Sequence, residues 1–303
     1  MVSSAASIHQ FSNDLADLVA RVRPALVFLQ RTRVPVTGTV WSDGRVLTAA
    51  HALGGRDEGT VLLDDGSEAA AKVLGRDPTT DVALLEVEGV SLGDLVWATD
   101  VAPRPGELML TIGREGPRVR STMGMVMDVG PGWRTRAGGT IDQLVDVDAS
   151  LPMGSSGGPL VGVDGRLWGM NTHGLRRAGG TVPATTLARV VEHLEAHGSV
   201  KPGYLGVGVQ PVDLPGEEGG AVLVNGVETD SPAAKVLHVG DVIVEIDGHR
   251  VLGVRSLFGM LASLGGKTVT IAVNRGGERV EAQVELGVRE GGPGRHRRGR
   301  WRR

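Results

Sequence analysis

The stretch Gly154-Ser155-Ser156-Gly157-Gly158-Pro159-Leu160 carries the strongest chemical signal in this sequence of 303 residues. Glycines on both sides of a serine let the backbone turn sharply, so the amides of Gly154 and Ser156 can point at one oxygen atom. Acyl transfer from a peptide needs such a nucleophile, a base, an acid that orients the base, and donors for the oxyanion. Taken alone, the segment could also be a Gly-Ser turn before the strand 160–163.

Two polar residues upstream can complete a site of this kind. His51 follows the apolar segment 47–50, and Asp81 directly precedes the apolar run 82–85. In isolation, such a histidine is more often a structural residue, and such an aspartate is more often a turn residue at the start of a strand. Together with Ser156 they supply base, acid and nucleophile in the chain order His, Asp, Ser.

The surrounding pattern predicts antiparallel β-structure, arranged in barrels. Short apolar segments are separated by turn pairs at Asp43-Gly44, Asp65-Gly66 and Asp164-Gly165. Glycine accounts for 47 of 303 residues, well above the usual share of about 7%. There is no cysteine, so the stability of the fold must come from packing rather than from disulfides.

Two helices flank this β-rich region. Helical spacing behind the capping signal Ser12-Asn13-Asp14 predicts a short first helix with Leu15, Leu18, Val19 and Val22 on one face. A second helix has Thr185 or Thr186 as its cap, Gly198 near its end, and an apolar face of Leu187, Val190, Val191 and Leu194. The polar segment 197–203 is the best candidate for a linker.

After the linker, the pattern predicts a small αβ module of about 85 residues. It contains a helix start at Ser231-Pro232, a strand over 242–246, a helix over 254–264 and a hairpin at Gly276-Gly277.

Taken together, the chain resembles the HtrA (Deg) family of trypsin-like serine proteases. The resemblance rests on the His, Asp, Ser order, the segment GRDPTTDVALL at 75–85, the GSSGGPL stretch, Asn171-Thr172 and Tyr204-Leu205-Gly206-Val207. It implies a mainly β protein, with a chymotrypsin-like double β-barrel protease domain followed by a small α+β PDZ domain. The expected limits are 1–24 for an N-terminal segment, 25–198 for the protease, 203–288 for the PDZ domain and 289–303 for a basic disordered tail.

The resemblance also implies roles for individual residues of the protease domain. His51 would be the base, Asp81 its orienting acid and Ser156 the nucleophile, with the amides of Gly154, Ser155 and Ser156 as oxyanion donors. The sequence departs from the family at Ser155, where Asn is usual, and at Pro152-Met153, where Asn-Pro is usual. Both departures fall in the oxyanion loop.

In the PDZ domain, the amides of Tyr204, Leu205, Gly206 and Val207 would receive a peptide carboxylate. The adjoining groove would be walled by the helix that carries Leu257, Phe258, Met260 and Leu261. The alternative is that these four are core residues.

The function expected from this resemblance is that of a serine endopeptidase for misfolded or tagged proteins, acting in protein quality control. Its partners would be unfolded polypeptides, C-terminal apolar peptides at the PDZ domain, and two further copies of the chain in a homotrimer. The alternative is a proteolytically silent chaperone or scaffold with the protease fold. We expect no cofactor and no metal, since His193 and His197 lie one helical turn apart without a visible third ligand.

Targeting and charge patterns complete the sequence-based expectations. The first basic residue is Arg21, and no apolar run approaches the ~20 residues of a membrane span, so we expect a cytoplasmic protein without a membrane-spanning segment, with the bacterial envelope as the alternative. Six arginines lie within 295–303. We interpret them as a solubilising end rather than a nucleic-acid site.

Overall fold

The structure, a computed structural model, describes residues 4–30, 32, 34–135, 137–175, 180–201, 203–213, 220–261, 264–288 and 301–302. By its internal contacts the chain divides into two compact units. The first is Met1–Trp133 with Thr140–Ser199, and the second is Arg134–Gly139 with Val200–Arg303.

The first helix is longer than the sequence predicted. α1 spans Ser4–Val22, so the expected start at Ser12-Asn13-Asp14 is wrong. Within the helix, Gln10 Nε2 donates to the Asp14 carboxylate at 2.7 Å. Asp14 therefore serves as an i,i+4 partner inside the helix instead of capping its start.

Six antiparallel strands close the first barrel. They are β1 (Leu26–Leu29), β2 (Thr37–Ser42), β3 (Arg45–Ala49), β4 (Glu58–Leu62), β5 (Glu68–Asp77) and β6 (Val82–Val87), with the short helix α2 (Ala50–Leu53) after β3. Their order is β1-β2-β3-β6-β5-β4, and β4 pairs back with β1. The predicted turn at Asp43-Gly44 joins β2 to β3, where φ of Gly44 is +74°. This left-handed conformation is why the turn uses glycine.

The second sheet of this unit has seven strands. They are β7 (Val96–Trp97), β8 (Leu108–Glu115), β9 (Arg118–Arg134), β10 (Thr140–Val147), β11 (Pro159–Gly162), β12 (Arg166–Thr172) and β13 (Gly180–Pro183). The order is β10-β9-β8-β11-β12-β13, with β7 parallel to β12. Ser156 thus lies in the loop before β11.

The helix α3 (Ala184–His197) follows β13 and buries the predicted face of Leu187, Val190, Val191 and Leu194. Its predicted cap is wrong, because Pro183 occupies the cap position without a side-chain bond. The Thr186 hydroxyl instead accepts the backbone N–H of Asp142 at 2.9 Å, so it ties the helix to β10.

The second unit is built on a separate sheet. Its elements are β14 (Gly203–Tyr204), β15 (Val207–Asp213), β16 (Gly220–Glu228), a 3₁₀ turn Pro232–Lys235, β17 (Val242–Ile246), β18 (His249–Arg250), α4 (Val254–Leu261), β19 (Thr268–Arg275), β20 (Glu278–Glu285), β21 (Gly287–Val288) and β22 (Trp301–Arg302). The main order is β15-β16-β17-β19-β20, and β14 pairs with β21. Of the helix expected over 254–264, α4 covers Val254–Leu261, residues 262 and 263 lie outside the described residues, and Leu264 is not helical. The tail from 289 lies outside the described residues except for β22, which pairs with β16.

A buried arginine links parts of the first unit. Arg114 on β8 is 1% exposed, and its guanidinium donates to the backbone carbonyls of Gly116 (2.9 Å), Leu26 (2.7 Å) and Leu63 (2.7 Å). Burial lowers the pKa of Arg114. These three bonds connect β1, the β4–β5 connection and β8, so this side chain joins the first barrel to the second sheet.

We expect Arg114→Met to lower the free energy of unfolding by about 2–4 kcal/mol, because it leaves buried carbonyls without donors. Urea unfolding should report the change as a lower midpoint. The matched control, Arg118→Met at an exposed position, should stay within about 0.5 kcal/mol of the parent chain. Equal stability of the two variants would contradict the structural role given to Arg114.

Candidate active site

The loop that carries Ser156 lies in close contact with the first barrel. The backbone N–H of Thr37 on β2 donates to the Ser156 carbonyl at 3.0 Å, and that of Gly157 donates to the Asn171 carbonyl at 2.8 Å. At Gly157 φ is +85°, and an added Cβ atom would lie 1.8 Å from the Thr37 carbonyl oxygen. Only glycine fits this approach, which fixes the backbone on either side of Ser156.

His51 and Asp81 meet because β3 and β6 are paired. Ala49 at the end of β3 pairs with Val82 at the start of β6, so the residues just beyond these positions face each other. His51 Nδ1 lies 2.8 Å from Asp81 Oδ2, and the His51 backbone N–H donates to Oδ1 at 2.8 Å. Because an ionised carboxylate only accepts, Nδ1 carries the hydrogen and Nε2 keeps the lone pair that a general base needs.

The hydrogen bond to Asp81 raises the pKa of His51 above its ordinary value of 6.5, against the opposing effect of burial. The side chain of His51 is 37% exposed, whereas that of Asp81 is 9% exposed. The carboxylate is therefore sheltered from water while the imidazole remains accessible.

Asp81 is held by residues that the sequence analysis did not single out. Its φ is +62°, a conformation that non-glycine residues rarely adopt. The preceding turn is organised by the buried Asp77, whose carboxylate accepts from the Thr79 N–H (2.8 Å) and the Thr80 hydroxyl (2.7 Å). The motif Asp-Pro-Thr-Thr is typical of such a turn and could have identified Asp77.

Thr172, the last residue of β12, and the next residue, His173, contact the predicted acid and the predicted nucleophile. The Thr172 hydroxyl donates to Asp81 Oδ2. Ser156 Oγ lies 3.0 Å from His173 Nδ1 and accepts the His173 backbone N–H at 3.2 Å. Within the described part of the chain, Ser156 Oγ makes no hydrogen bond to His51. The structure thus brings His51 and Asp81 into direct contact and places Ser156 beside a histidine that the sequence analysis missed.

The oxyanion loop differs from the expectation at one residue. The Ser155 N–H donates to the Pro152 carbonyl at 3.0 Å, so this amide is engaged within the loop and is not a free donor. The inclusion of Ser155 among the donors is wrong for this conformation. The Gly154 carbonyl accepts from the Thr37 hydroxyl at 2.6 Å, and φ of Gly154 is +96°. The amides of Gly154 and Ser156 remain as candidate donors.

The expected peptide site of the second unit consists of a tight turn and a helix. In the turn 204–207, φ of Gly206 is +77°, its carbonyl accepts the Glu228 N–H at 2.9 Å, and the Leu205 carbonyl accepts the Ala233 N–H at 3.0 Å. Among the described residues, no backbone carbonyl accepts the N–H of Leu205 or Gly206. Two unpaired amides at one turn are suited to an anion.

The helix α4 presents fewer groove residues than the sequence predicted. Leu257 and Leu261 are 1% and 5% exposed and belong to the core of this unit, so their assignment to the groove is wrong. Both lie on the helical face that packs against the sheet. Met260 is partly buried against the same core, while Phe258 is 39% exposed.

No cluster of three potential metal ligands occurs among the residues that the structure describes. Within the same residues, no helix has both the length and the apolar character needed to cross a bilayer.

This geometry defines a trypsin-like serine protease domain followed by a PDZ domain. Residues 36–170 match the model of the trypsin-like peptidase domain, and residues 203–286 match that of the PDZ domain. Among solved structures, an HtrA-type protease AlgW with a tripeptide superposes with a TM-score of 0.65 at 31% identity, covering 91% of this chain and 97% of that one. A serine endoprotease from Yersinia pestis gives a TM-score of 0.66 at 25% identity, covering 91% and 98%. The chain belongs to the HtrA family.

Curated relatives support the same conclusion. A probable periplasmic serine endoprotease, DegP-like, from Bartonella henselae is 33% identical over 301 residues, covering 92% of this chain and 59% of the relative. A DegP-like protein from Pseudomonas putida (strain W619) is 35% identical over 262 residues, covering 82% and 54%. The chain therefore spans little more than half the length of these relatives.

The expectation of a cytoplasmic location is wrong, because these relatives are named as periplasmic proteins, which points to the cell envelope. The expectation rested on Arg21 being the first basic residue and on the lack of a long apolar run, and neither feature identifies the compartment in which the folded protein works.

We expect kcat/KM for peptide hydrolysis to increase with pH through an apparent pKa above 6.5. In the predicted triad only neutral His51 accepts the proton of Ser156, and Asp81 raises the pKa of His51. Asp81→Asn should move this increase in kcat/KM to lower pH and should reduce kcat roughly 10⁴-fold. The control Asp100→Asn, at an exposed position, should change neither the pH dependence of kcat/KM nor the value of kcat. If kcat/KM of Asp81→Asn increased over the same pH range as in the parent chain, the role given to this carboxylate would be contradicted.

Proposed function

We propose that the chain is a serine endopeptidase that cleaves peptide bonds in unfolded polypeptides, with Ser156 as nucleophile, His51 as base and Asp81 as its orienting acid. The single observation that carries the proposal is the hydrogen bond between His51 Nδ1 and the sheltered Asp81 carboxylate at 2.8 Å. It leaves Nε2 as the basic atom of an accessible imidazole.

The neighbouring strand end supports the same assignment. Thr172 binds Asp81, and the next residue, His173, binds Ser156. The acid and the nucleophile are thus held by adjacent residues of one strand end, and the acid in turn holds His51. All three groups therefore belong to one cluster.

The proposed chemistry follows from these positions. Ser156 Oγ attacks the scissile carbonyl while its proton passes to His51 Nε2, and Asp81 stabilises the imidazolium that forms. The amides of Gly154 and Ser156 donate to the oxyanion. His51 then protonates the leaving amine, and water hydrolyses the acyl-enzyme by the reverse sequence of proton transfers.

A second candidate is a proteolytically silent chaperone or scaffold. The bond of Ser156 to His173 and the engagement of the Ser155 amide with Pro152 favour it, because both describe a site that is not poised for attack. Labelling of Ser156 by a fluorophosphonate separates the candidates, since the reaction needs an activated serine and a formed oxyanion hole.

We expect Ser156→Ala to abolish both fluorophosphonate labelling and casein cleavage, with kcat falling on the order of 10⁶-fold because the triad acts as a unit. The control Ser67→Ala removes a hydroxyl from an exposed turn and should retain full activity. Persistent cleavage by a clean Ser156→Ala preparation would show that another group is the nucleophile.

The second unit is proposed to bind the free C-terminus of apolar peptides. The amides of Leu205 and Gly206, which have no backbone acceptor among the described residues, would receive the carboxylate. In the order of the described strands β15 lies at an edge of the sheet, to which an extended peptide can add as a strand. The solved AlgW structures contain a tripeptide or a decapeptide, which agrees with peptide ligands for this class.

We expect the full chain to bind a short peptide ending in Val with a dissociation constant on the order of 1–10 μM. Isothermal titration should detect this binding in a Ser156→Ala background, which prevents cleavage. The same peptide with an amidated C-terminus should bind at least tenfold more weakly, because the amides prefer an anion. Equal affinity of the two peptides would rule out carboxylate recognition.

A homotrimer is proposed as the assembly. On α1 the exposed side chains Ile8 (69%) and Phe11 (42%) continue the helical stripe of Leu15 and Leu18. This apolar extension is suited to contact with further copies of the chain.

A further inference from the structure

We propose that His173 is a positioning residue that holds the Ser156 hydroxyl away from His51 and so keeps the nucleophile in a resting state. This inference rests on the proposed endopeptidase function. It assigns to His173 a restraining role in the same site, which is separate from the roles of the triad.

The hydrogen bonds of His173 determine which ring nitrogen carries the proton. His173 Nε2 lies 3.1 Å from the Leu151 carbonyl, which can only accept, so Nε2 is the donor. In the neutral imidazole Nδ1 is then an acceptor, and its partner at 3.0 Å is the Ser156 hydroxyl. A serine hydroxyl has one hydrogen. In this arrangement the hydrogen is donated to His173 Nδ1, so it is not donated to His51 Nε2.

The backbone of His173 adds to the restraint. Its N–H donates to Ser156 Oγ at 3.2 Å, so this oxygen both donates to the ring and accepts from the main chain of one residue. The acceptor bond uses electron density that the attack on a carbonyl requires. Both contacts must loosen before Ser156 can act as a nucleophile towards a substrate.

The third contact joins the restraint to the oxyanion loop. Leu151 begins the segment 151–155, in which the Ser155 amide is turned back onto Pro152. The His173 ring therefore bridges the nucleophile and the first carbonyl of the loop that must supply the oxyanion donors. A movement of Leu151 that breaks the bond to Nε2 frees the ring, and with it the Ser156 hydroxyl.

The size of the effect follows from the bond that is lost. A neutral hydrogen bond contributes about 0.5–1.5 kcal/mol, which corresponds to a rate change of roughly 2- to 12-fold. We therefore expect His173→Phe, which keeps a ring but no acceptor, and His173→Ala to label with a fluorophosphonate 2- to 12-fold faster than the parent chain. His173→Asn, whose side-chain oxygen can replace the Nδ1 acceptor, should label at close to the parent rate.

The assay is the second-order rate of labelling by a small fluorophosphonate, in which Ser156 Oγ bonds to phosphorus, fluoride leaves and the proton passes to His51. His193→Ala on α3 serves as the surface control. Circular dichroism checks that each variant is folded, and the ¹⁵N shifts of the parent His173 ring test the Nε2–H tautomer independently of activity.

Each outcome decides between named alternatives. Faster labelling of His173→Phe and His173→Ala, with His173→Asn labelled at close to the parent rate, supports the restraint. A parent chain that is labelled at Ser156 while the Phe and Ala variants are equally fast or slower overturns the restraint but keeps the endopeptidase. If labelling survives His51→Ala and disappears in His173→Ala, then His173 is the base, and this inference fails. If no folded variant is labelled, the proposed function itself fails.

Discussion

The approach of the loop 154–158, which carries Ser156, to β2 is the constraint on which the site depends. Thr37 is fully buried, and its groups contact both sides of the loop: the N–H donates to the Ser156 carbonyl, and the hydroxyl donates to the Gly154 carbonyl while accepting the Arg114 N–H at 2.7 Å. A Cβ atom at Gly158 would lie 2.0 Å from the Ile112 carbonyl oxygen. The glycines therefore serve close packing rather than flexibility, and the loop takes its rigidity from the closed barrel.

The end of β12 imposes a second constraint of the same kind. A Cβ atom at Gly174 would lie 2.1 Å from Asp81 Oδ2. Residue 174 must therefore be glycine, without a side chain, for Thr172 to reach the carboxylate. Asp81 has an unusual positive φ, and its position is determined from three directions, by His51, by Thr172 and by the turn around Asp77. Strain of this kind persists where the surrounding bonds over-determine the backbone.

The sequence supports prediction where chemistry is local. His51 lies in the short helix after β3, Asp81 directly precedes β6 and Ser156 lies in the loop before β11, and a short motif marks each of them. The hairpin at Asp43-Gly44 follows from turn preferences alone. The partner of the Ser156 hydroxyl could not be predicted in this way, because His173 reaches it through the tertiary pairing of β11 with β12, 17 residues along the chain.

The predictions that proved wrong depend on tertiary contacts and loop conformation in the same way. Leu257 and Leu261 carry the helical spacing of a groove wall as well as that of a core face, and only the packing of α4 distinguishes the two. The Ser155 amide is engaged by a carbonyl three residues away in a loop whose conformation no periodicity encodes. Likewise, the cap expected at Thr185 or Thr186 is displaced because Thr186 finds a partner on β10.

In the proposed resting state, His173 and the proposed base His51 compete for the proton of the Ser156 hydroxyl. Moving the hydroxyl from His173 to His51 exchanges one neutral hydrogen bond for another, so the free energies of the two arrangements differ by little more than one such bond, about 1 kcal/mol. A population shifted tenfold needs only about 1.4 kcal/mol of differential binding. A polypeptide that contacts the Leu151 carbonyl more favourably in the released arrangement could supply that amount through one or two backbone bonds. The proposed restraint is therefore weak enough for a substrate to reverse, although it keeps the Ser156 hydroxyl bonded to His173 rather than to the proposed base His51 when no substrate is bound.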